Sequence, residues 1–263
     1  MGSEMKPLVI GNWKMNLDYV EAIHLTQQIG LSLRSLGPIG VEVCVAPPFL
    51  DFRSVSSVIE ADKLAISLCA QHVNPLPNGA QTGEVSISML RRFGTKYALV
   101  GHSERRGNYA MTDEIVAQTA ARCAEEALVP VICIGEPLEA RRGGSQDEFL
   151  QRQVSAALEG FPATGDFVIA YEPIWAIGSG QAATADVVCE TVSAIRKHVE
   201  ALGFSDKTFL YGGSVAAENA ESLLVGGVVS GFLVGGASLR SETFLEIVSA
   251  VERCYGSSSK RKV

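Results

Sequence analysis

Phe167-Val168-Ile169-Ala170-Tyr171-Glu172-Pro173 is an apolar run that ends in a carboxylate followed by a proline. The five residues before Glu172 are apolar enough to be buried on both faces, which is typical of a strand in a parallel sheet. The residues after Pro173 lead to Gly178 and Gly180, and this composition indicates a loop. The pattern predicts an ionisable group at the carboxyl edge of a parallel sheet, beside a loop that could close over a ligand.

The same pattern, a short apolar run followed by a longer amphipathic segment, occurs eight times along the chain. The runs lie near Leu8, Val41, Leu64, Tyr97, Val129, Phe167, Thr208 and Gly231. Their mean spacing of about 32 residues matches a strand–helix–strand repeat better than an all-β array. Eight parallel strands can close into a barrel or lie open as a doubly wound sheet, and the spacing alone does not decide between these folds.

Helical periodicity is clearest in two of the amphipathic segments. Apolar residues recur there at steps of three and four, which predicts one buried stripe on each helix. The two stripes are Val188, Val192, Ile195, Val199 and Leu202, and Phe244, Val248, Val251 and Tyr255. Asp18 and Glu21 have the spacing of a capping box at the start of the first helix.

Polar or glycine-rich stretches follow five of the apolar runs. They are Gly11-Asn12-Trp13-Lys14-Met15-Asn16, Gly101-His102-Ser103-Glu104-Arg105-Arg106, Tyr171-Glu172-Pro173, Tyr211-Gly212-Gly213-Ser214-Val215 and Val234-Gly235-Gly236-Ala237-Ser238-Leu239. In a closed barrel these ends meet on one rim, where the last two loops commonly bind phosphate through backbone N–H groups. We therefore predict a single (β/α)8 barrel over residues 1–263, with eight parallel strands surrounded by helices and flexible ends at 1–6 and 256–263.

Composition excludes several classes of function. The chain carries 22 Lys and Arg against 29 Asp and Glu, which disfavours nucleic-acid binding because phosphate neutralisation needs clustered cations. No apolar stretch of roughly 18 residues or signal-peptide core occurs, so no membrane contact is expected. Six cysteines without CxxC spacing indicate free thiols in a reducing cytoplasm. The four histidines lack ligand spacing and no dinucleotide fingerprint follows a strand, so neither a metal nor a cofactor is expected.

In these motifs the chain closely resembles the triosephosphate isomerase family. Besides the five rim stretches, the matching segments are Cys133-Ile134-Gly135-Glu136 and the continuation Ile174-Trp175-Ala176-Ile177-Gly178. The matches follow the family's order and cover nearly the whole chain. The resemblance implies a TIM barrel that interconverts dihydroxyacetone phosphate and D-glyceraldehyde 3-phosphate through an enediolate, as part of glycolysis and gluconeogenesis.

The resemblance also implies a role for each polar residue on the rim, as established for this family. Glu172 is the base that moves a carbon-bound proton, and His102 donates a hydrogen bond from a neutral imidazole to the substrate oxygens. Lys14 and Asn12 stabilise the enediolate oxygen. Glu104 is expected to orient Lys14 or neighbouring polar groups, and a simple rim salt bridge is the alternative for this residue.

Phosphate binding is expected mainly from backbone N–H groups of Gly178, Ser214, Gly235 and Gly236. The family's lid matches Pro173, Ile174, Trp175, Ala176, Ile177, Gly178, Ser179 and Gly180. After Gly178, where many family members carry Thr-Gly-Lys, this chain has Ser179-Gly180-Gln181-Ala182-Ala183, and Gln181-Ala182-Ala183 is expected to form a small, uncharged second hinge.

The long third loop implies a homodimer, because in the family this loop enters the neighbouring subunit and the residue matching Thr82 reaches the other active site. Two departures from the family pattern predict a lowered dimer affinity. Gln81 replaces a common aromatic residue, and Met111 stands where Glu is common.

Three alternative hypotheses remain beside this interpretation. An isomerase of a four-carbon phosphosugar would need a roomier lid and an altered rim. A non-catalytic phosphate-binding barrel would be expected to lack Glu172, His102 or Lys14, and all three are present. An open doubly wound nucleotide binder would need a phosphate-binding fingerprint after its first strand, which the chain does not have.

Overall fold

The computed structural model describes residues 7–177 and 182–259, the last four of these by their backbone alone. Eight parallel strands form a closed barrel in the order of the sequence. They are β1 (Leu8–Asn12), β2 (Glu42–Ala46), β3 (Ser67–Ala70), β4 (Tyr97–Val100), β5 (Val129–Ile134), β6 (Val168–Tyr171), β7 (Thr208–Tyr211) and β8 (Gly231–Val234). The predicted (β/α)8 barrel is confirmed, and the open doubly wound sheet is excluded.

Helices cover the outside of the barrel. In the described part of the chain they are α1 (Tyr19–Leu36), α2 (Phe49–Ala61), α3 (Ile87–Arg91), α4 (Ser103–Asn108), α5 (Asp113–Glu125), α6 (Leu138–Arg142), α7 (Gln146–Ala157), α8 (Ala185–Ala201), α9 (Ala217–Leu223) and α10 (Ser241–Ser259). Short 3-10 turns occur at Ile174–Ala176 and Gly236–Leu239. The Asp18 carboxylate caps α1 together with Glu21, as the capping-box spacing predicts.

The barrel closes where β1 pairs with β8 as well as with β2. Leu8 lies opposite Glu42 on one side and opposite Gly231 on the other. A Cβ atom on Gly231 would lie 1.9 Å from the Leu8 carbonyl oxygen, so only glycine allows the two strands to approach.

Side chains alternate between two apolar layers, as expected for strands with a period of two. Ile10, Cys44, Leu99 and similar residues fill the interior of the barrel. The outward-facing residues of the strands pack against the buried stripes of the helices. Four of the six free cysteines are buried in these layers.

Two details at helix ends differ from the sequence expectation. Leu202 was predicted to belong to the buried stripe of α8, and this prediction was wrong because Leu202 is the C-cap residue and is 41% exposed. The backbone of residues 256–259 continues α10, although this segment was expected to be part of a flexible end. Residues 1–6 and 260–263 lie outside the described residues.

Candidate active site

A cavity of about 520 Å³ opens at the carboxyl edge of the barrel. Residues at the ends of β1, β4, β6, β7 and β8 line it. They include Asn12, Lys14, His102, Glu104, Glu172, Ser214, Gly235 and Gly236. The structure therefore brings together all the predicted catalytic residues and three of the four predicted phosphate-binding residues. The fourth, Gly178, lies outside the described residues.

Glu172 follows β6, and its side chain is almost fully buried. Its backbone N–H donates to the Ile134 carbonyl at 2.7 Å, which extends the β5–β6 ladder by one residue. A Cβ atom on Gly135 would lie 1.8 Å from the Glu172 carbonyl oxygen, so this neighbour must be glycine. Glu172 Oε2 accepts a hydrogen bond from the Ser103 N–H at 3.1 Å. Burial, followed by the Glu172 carboxylate, raises the pKa of the Cys133 thiol.

His102 is the N-cap residue of α4, and its ring is buried. Nδ1 accepts a hydrogen bond from the Glu104 N–H at 3.2 Å, which requires a lone pair on that nitrogen and places the ring proton on Nε2. Nε2 lies 3.3 Å from Glu172 Oε1, but the pair does not meet hydrogen-bond geometry. Within the described chain, Oε1 is thus buried and has no hydrogen-bond partner.

Lys14 has a left-handed backbone, with φ of 53°. The Asn12 side-chain oxygen accepts a hydrogen bond from the Lys14 N–H at 3.1 Å. The Gln71 side-chain amide donates to the Lys14 carbonyl at 2.7 Å and to the Ala46 carbonyl at 2.8 Å. The Lys14 ammonium group lies 2.7 Å from Glu104 Oε1. These contacts direct the cation into the cavity.

The glycine-rich loops after β7 and β8 also line the cavity. Ser214 Oγ donates to the Ala176 carbonyl at 2.9 Å, which connects the first of these loops to the segment after Glu172. Asn219 Nδ2 donates to the Ser214 carbonyl at 3.1 Å and holds that loop to α9. A Cβ atom on Gly235 would lie 3.6 Å from Lys14 Cε, so this loop approaches the cation closely.

The segment after Glu172 is anchored by the buried carboxylate of Glu136. Glu136 Oε1 accepts hydrogen bonds from Trp175 Nε1 at 2.8 Å and from the Tyr171 hydroxyl at 3.1 Å. Arg141 Nε lies 2.6 Å from the same oxygen. Burial, followed by the Glu136 carboxylate, raises the pKa of Tyr171 and keeps the hydroxyl a donor. Of the predicted lid, residues 173–177 are described, and Gly178, Ser179 and Gly180 are not.

The residues singled out for the dimer lie away from the cavity. Gln81 and Thr82 are exposed on the loop between β3 and α3, and Met111 is buried against the apolar core. The hinge residue Gln181 lies outside the described residues, and Ala183 donates its N–H to the Tyr211 hydroxyl at 3.3 Å.

Several residues that line or support the cavity were not predicted. Leu233, Val215 and Ala237 form part of its wall. The period-two pattern of β8 could have identified Leu233 as an inward-facing residue, whereas the support from Gln71 has no signal in the sequence.

The described residues contain no group of three or more His, Cys, Asp or Glu side chains that could hold a metal ion. No helix in the described ranges is long and apolar enough to cross a membrane.

Comparison with known proteins decides the family. The family model described as triosephosphate isomerase matches residues 7–251. The chain belongs to the triosephosphate isomerase family. Similar members of the triosephosphate isomerase family include the proteins so named from Cutibacterium acnes, 44% identical over 94% of this chain and 98% of the relative, and from Corynebacterium efficiens, 43% identical over 93% and 95%. The triosephosphate isomerase of Mycobacterium tuberculosis strain H37Rv is 43% identical over 93% of this chain and 96% of its own length.

Membership in the triosephosphate isomerase family makes the protein an isomerase built on a TIM barrel. The four-carbon phosphosugar isomerase and the non-catalytic barrel, weighed above as alternatives, are not favoured by these matches.

Proposed function

We propose that the cavity interconverts dihydroxyacetone phosphate and D-glyceraldehyde 3-phosphate, with Glu172 as the base. One observation carries the proposal. Glu172 Oε1 is buried, has no hydrogen-bond partner in the described chain and lies 3.3 Å from His102 Nε2, in a cavity that also holds Lys14. A carboxylate oxygen in that condition is ready to accept a proton from a bound molecule.

The chemistry needs a base, an electrophile and an anchor, and the rim supplies candidates for all three. Glu172 takes the proton from one carbon and returns it to the neighbouring carbon, while the hydroxyl proton moves to the former carbonyl oxygen, so the reaction needs no redox partner. His102 Nε2 carries the ring proton and donates it as a hydrogen bond to the oxygen that becomes negative. Asn12 also lines the cavity and carries a side-chain amide.

Lys14 supplies the positive charge that both the enediolate and the phosphate require. Its ammonium group is already oriented by Glu104 at 2.7 Å, so little reorganisation is needed when a substrate binds. We assign phosphate binding to backbone N–H groups of Ser214, Gly235 and Gly236, together with Gly178 outside the described residues. The support is that the first three line the same cavity as Glu172 and Lys14, and that Gly235 lies close to the Lys14 side chain.

A coupled isomerase assay on the wild type and two variants tests the assignment. Glu172→Asp withdraws the carboxylate by roughly 1 Å and is expected to lower kcat on the order of 10²-fold. Lys14→Met removes the cation and is expected to lower kcat/KM by about 10²- to 10³-fold. Glu200→Asp, at an exposed position on α8, is the matched control and should leave the rate unchanged. If the wild type does not isomerise triose phosphates, the proposed function is refuted. An unchanged kcat in Glu172→Asp would refute the assignment of Glu172 as the base.

We also propose a homodimer, formed by an exposed apolar face beside the active site. Met15 and Leu50 are each 94% exposed, and Tyr109 is 65% exposed. Met15, Phe49 and Tyr109 line a second cavity of about 230 Å³, which shares Lys14 and His102 with the first. In the proposed dimer, the loop around Thr82 of a second copy covers this face and buries its apolar side chains. The same loop would then pack beside Lys14 and His102, which line the second cavity.

Light scattering after size-exclusion chromatography tests the dimer. The wild type is expected at twice the chain mass of 27.9 kDa. Leu50→Asp should shift the protein toward the monomer because it places a charge in the buried face. Leu31→Asp, which changes a 59% exposed leucine on α1, is the control and should leave the mass unchanged. A monomeric wild type at micromolar concentration would overturn the proposal.

We propose that the protein is located in the cytoplasm. We also propose that the chain forms one domain. The support for the compartment is the set of six free thiols, which fits a reducing environment. The closed barrel between β1 and β8 supports a single domain, because the two ends of the chain contribute adjacent strands.

A further inference from the structure

Arg106 on α4 is hydrogen-bonded to both peptide groups that flank the Cα atom of His102. Its backbone N–H donates to the His102 carbonyl at 3.0 Å. Its side-chain Nε donates to the Gly101 carbonyl at 2.8 Å. The Arg105 N–H also donates to the His102 carbonyl, at 2.8 Å, and both of these backbone bonds are kept when Arg106 is replaced. The contribution of the Arg106 side chain is therefore its bond to the Gly101 carbonyl, which fixes the peptide plane before His102 and thereby helps to set the direction of the Cα–Cβ bond.

The guanidinium of Arg106 is itself held by Asp113. Arg106 Nη1 lies 2.5 Å from Asp113 Oδ1. Asp113 is the first residue of α5, and the preceding Thr112 caps that helix through its side chain. Asp113 therefore has a well-defined position at the start of a capped helix, and its ion pair connects the Arg106 side chain to α5.

Gly101 completes the arrangement by its lack of a side chain. Its φ of 75° is in the left-handed region. A Cβ atom at this position would lie 2.9 Å from Arg106 Nη2 and 2.9 Å from Val116 Cγ2. The guanidinium therefore packs directly against the backbone that precedes His102. Within the described residues, the buried Nη2 has no hydrogen-bond partner.

We infer that Arg106, oriented by Asp113, is a positioning residue that acts on the reaction through His102. The inference rests on the proposed function, in which His102 Nε2 donates to the substrate oxygen. Arginine suits the task because its planar group can bind a carbonyl through Nε and a carboxylate through Nη1 at the same time. Lysine has a single ammonium group on a flexible stem and cannot hold both partners in one geometry.

A double-mutant cycle with His102→Gln separates positioning from general support of the fold. Arg106→Met in the wild-type background is expected to lower kcat by about 10- to 100-fold, because a displacement of roughly 1 Å has an effect of that order. KM should change by less than about 2-fold, since the phosphate-binding wall is not touched. In the His102→Gln background the same replacement should change kcat by less than about 2-fold, because no imidazole is left to position.

Two further variants keep the test decisive if Arg106→Met does not fold. Arg106→Lys and Asp113→Asn each retain part of the interaction and should lower kcat less than Arg106→Met does. Arg122→Met is the matched control, because Arg122 forms ion pairs with Glu125 and Glu126 on the exposed side of α5. This control should retain the wild-type kcat.

The Nε2–H resonance of His102 gives a readout that needs no activity. It should shift or broaden in Arg106→Lys and Asp113→Asn and should remain unchanged in Arg122→Met. The inference is overturned if kcat and this resonance are unchanged in Arg106→Lys and Asp113→Asn, or if Arg106→Met lowers kcat equally in both backgrounds. A wild type without isomerase activity would refute the proposed function instead, while the resonance would still test the positioning.

Discussion

The side-chain amide of Gln71 lies 2.7 Å from the carbonyl oxygen of Lys14, and it donates a hydrogen bond to that oxygen. Lys14 has a φ of 53°, a left-handed conformation that costs a residue with a side chain about 1–2 kcal/mol. The second bond of the same amide, to the Ala46 carbonyl at 2.8 Å, fixes Gln71 against the end of β2. A residue that does not line the main cavity thus supports the unusual backbone of Lys14.

Replacement of Gln71 by methionine is expected to lower kcat/KM by about 5- to 30-fold. The change removes two partly buried hydrogen bonds, with an effect of about 1–2 kcal/mol, while it roughly preserves the volume of the side chain. Steady-state kinetics on Gln71→Met measure the effect. Gln118→Met, at an exposed position on α5, is the control. An unchanged kcat/KM in Gln71→Met would show that Lys14 does not depend on this support.

Gly212 is expected to be indispensable for catalysis, although it carries no functional group. A Cβ atom at this position would lie 2.8 Å from Glu172 Cγ, so the Glu172 side chain would have to move. We expect Gly212→Ala to lower kcat on the order of 10²-fold. Gly107→Ala provides the comparison, because a Cβ atom there meets nothing within 4 Å. Equal rates in the two variants would contradict the steric argument.

Asp51→Asn is expected to raise the melting temperature at pH 7. Burial, followed by the neighbouring Asp18 carboxylate, raises the pKa of Asp51 above its ordinary value of 3.8. The folded state therefore binds a proton more readily than the unfolded state, and stability falls as the pH rises from 3.8 through the folded pKa. Asparagine removes the buried charge that causes this loss.

Thermal unfolding followed by circular dichroism at several pH values checks the sign. The gain in Asp51→Asn should be largest at neutral pH and should shrink as the pH falls toward 3.8. Asp186→Asn is a matched control, since Asp186 also lies in the first turn of a helix but is exposed. The control should show no gain, because it loses only a favourable contact with the helix dipole. A lower melting temperature for Asp51→Asn at pH 7 would contradict the prediction.

Ala127→Gly is expected to stabilise the protein by about 0.5–1 kcal/mol. Ala127 follows α5 with a φ of 56°, its N–H donates to the Ala124 carbonyl, and the Leu128 N–H donates to the Cys123 carbonyl. These two bonds form a Schellman motif, whose left-handed position favours glycine. Denaturant unfolding measures the change. Ala194→Gly, inside α8, should instead destabilise by about 1 kcal/mol, and a loss of stability in both variants would refute the argument.

Most of the fold could be predicted because its signals are local. The repeat of apolar runs and helical stripes depends on residues within one strand or helix, and the chain has eight such units in barrel order. The boundaries were less predictable. The third run was placed near Leu64, but β3 begins at Ser67, since Leu64 and Ile66 are buried in the connection before the strand. Leu202 fits the stripe of α8 by spacing, yet it follows the last turn and faces solvent.

The candidate site likewise contains residues that the sequence predicts and supporting residues that it does not. Glu172, His102 and Lys14 stand out because charged groups follow buried strands, and the resemblance assigned their roles. Their supporting residues do not stand out, since their contacts depend on three-dimensional geometry. Gln71 is 57 residues from Lys14, and nothing in the sequence indicates that its amide faces that carbonyl. Arg106 lies within a quoted motif, but the motif does not reveal which carbonyl its side chain binds.

The anchoring of Trp175 to Glu136 provides a built-in optical probe. The chain contains two tryptophans, and the other, Trp13, is fully buried beneath the rim. In a Trp13→Phe variant, the remaining indole would report from the segment that follows Glu172, with its Nε1 held 2.8 Å from an oxygen of a buried carboxylate. Any movement that alters this contact would change the emission, so events next to Glu172 could be followed in real time without an attached dye.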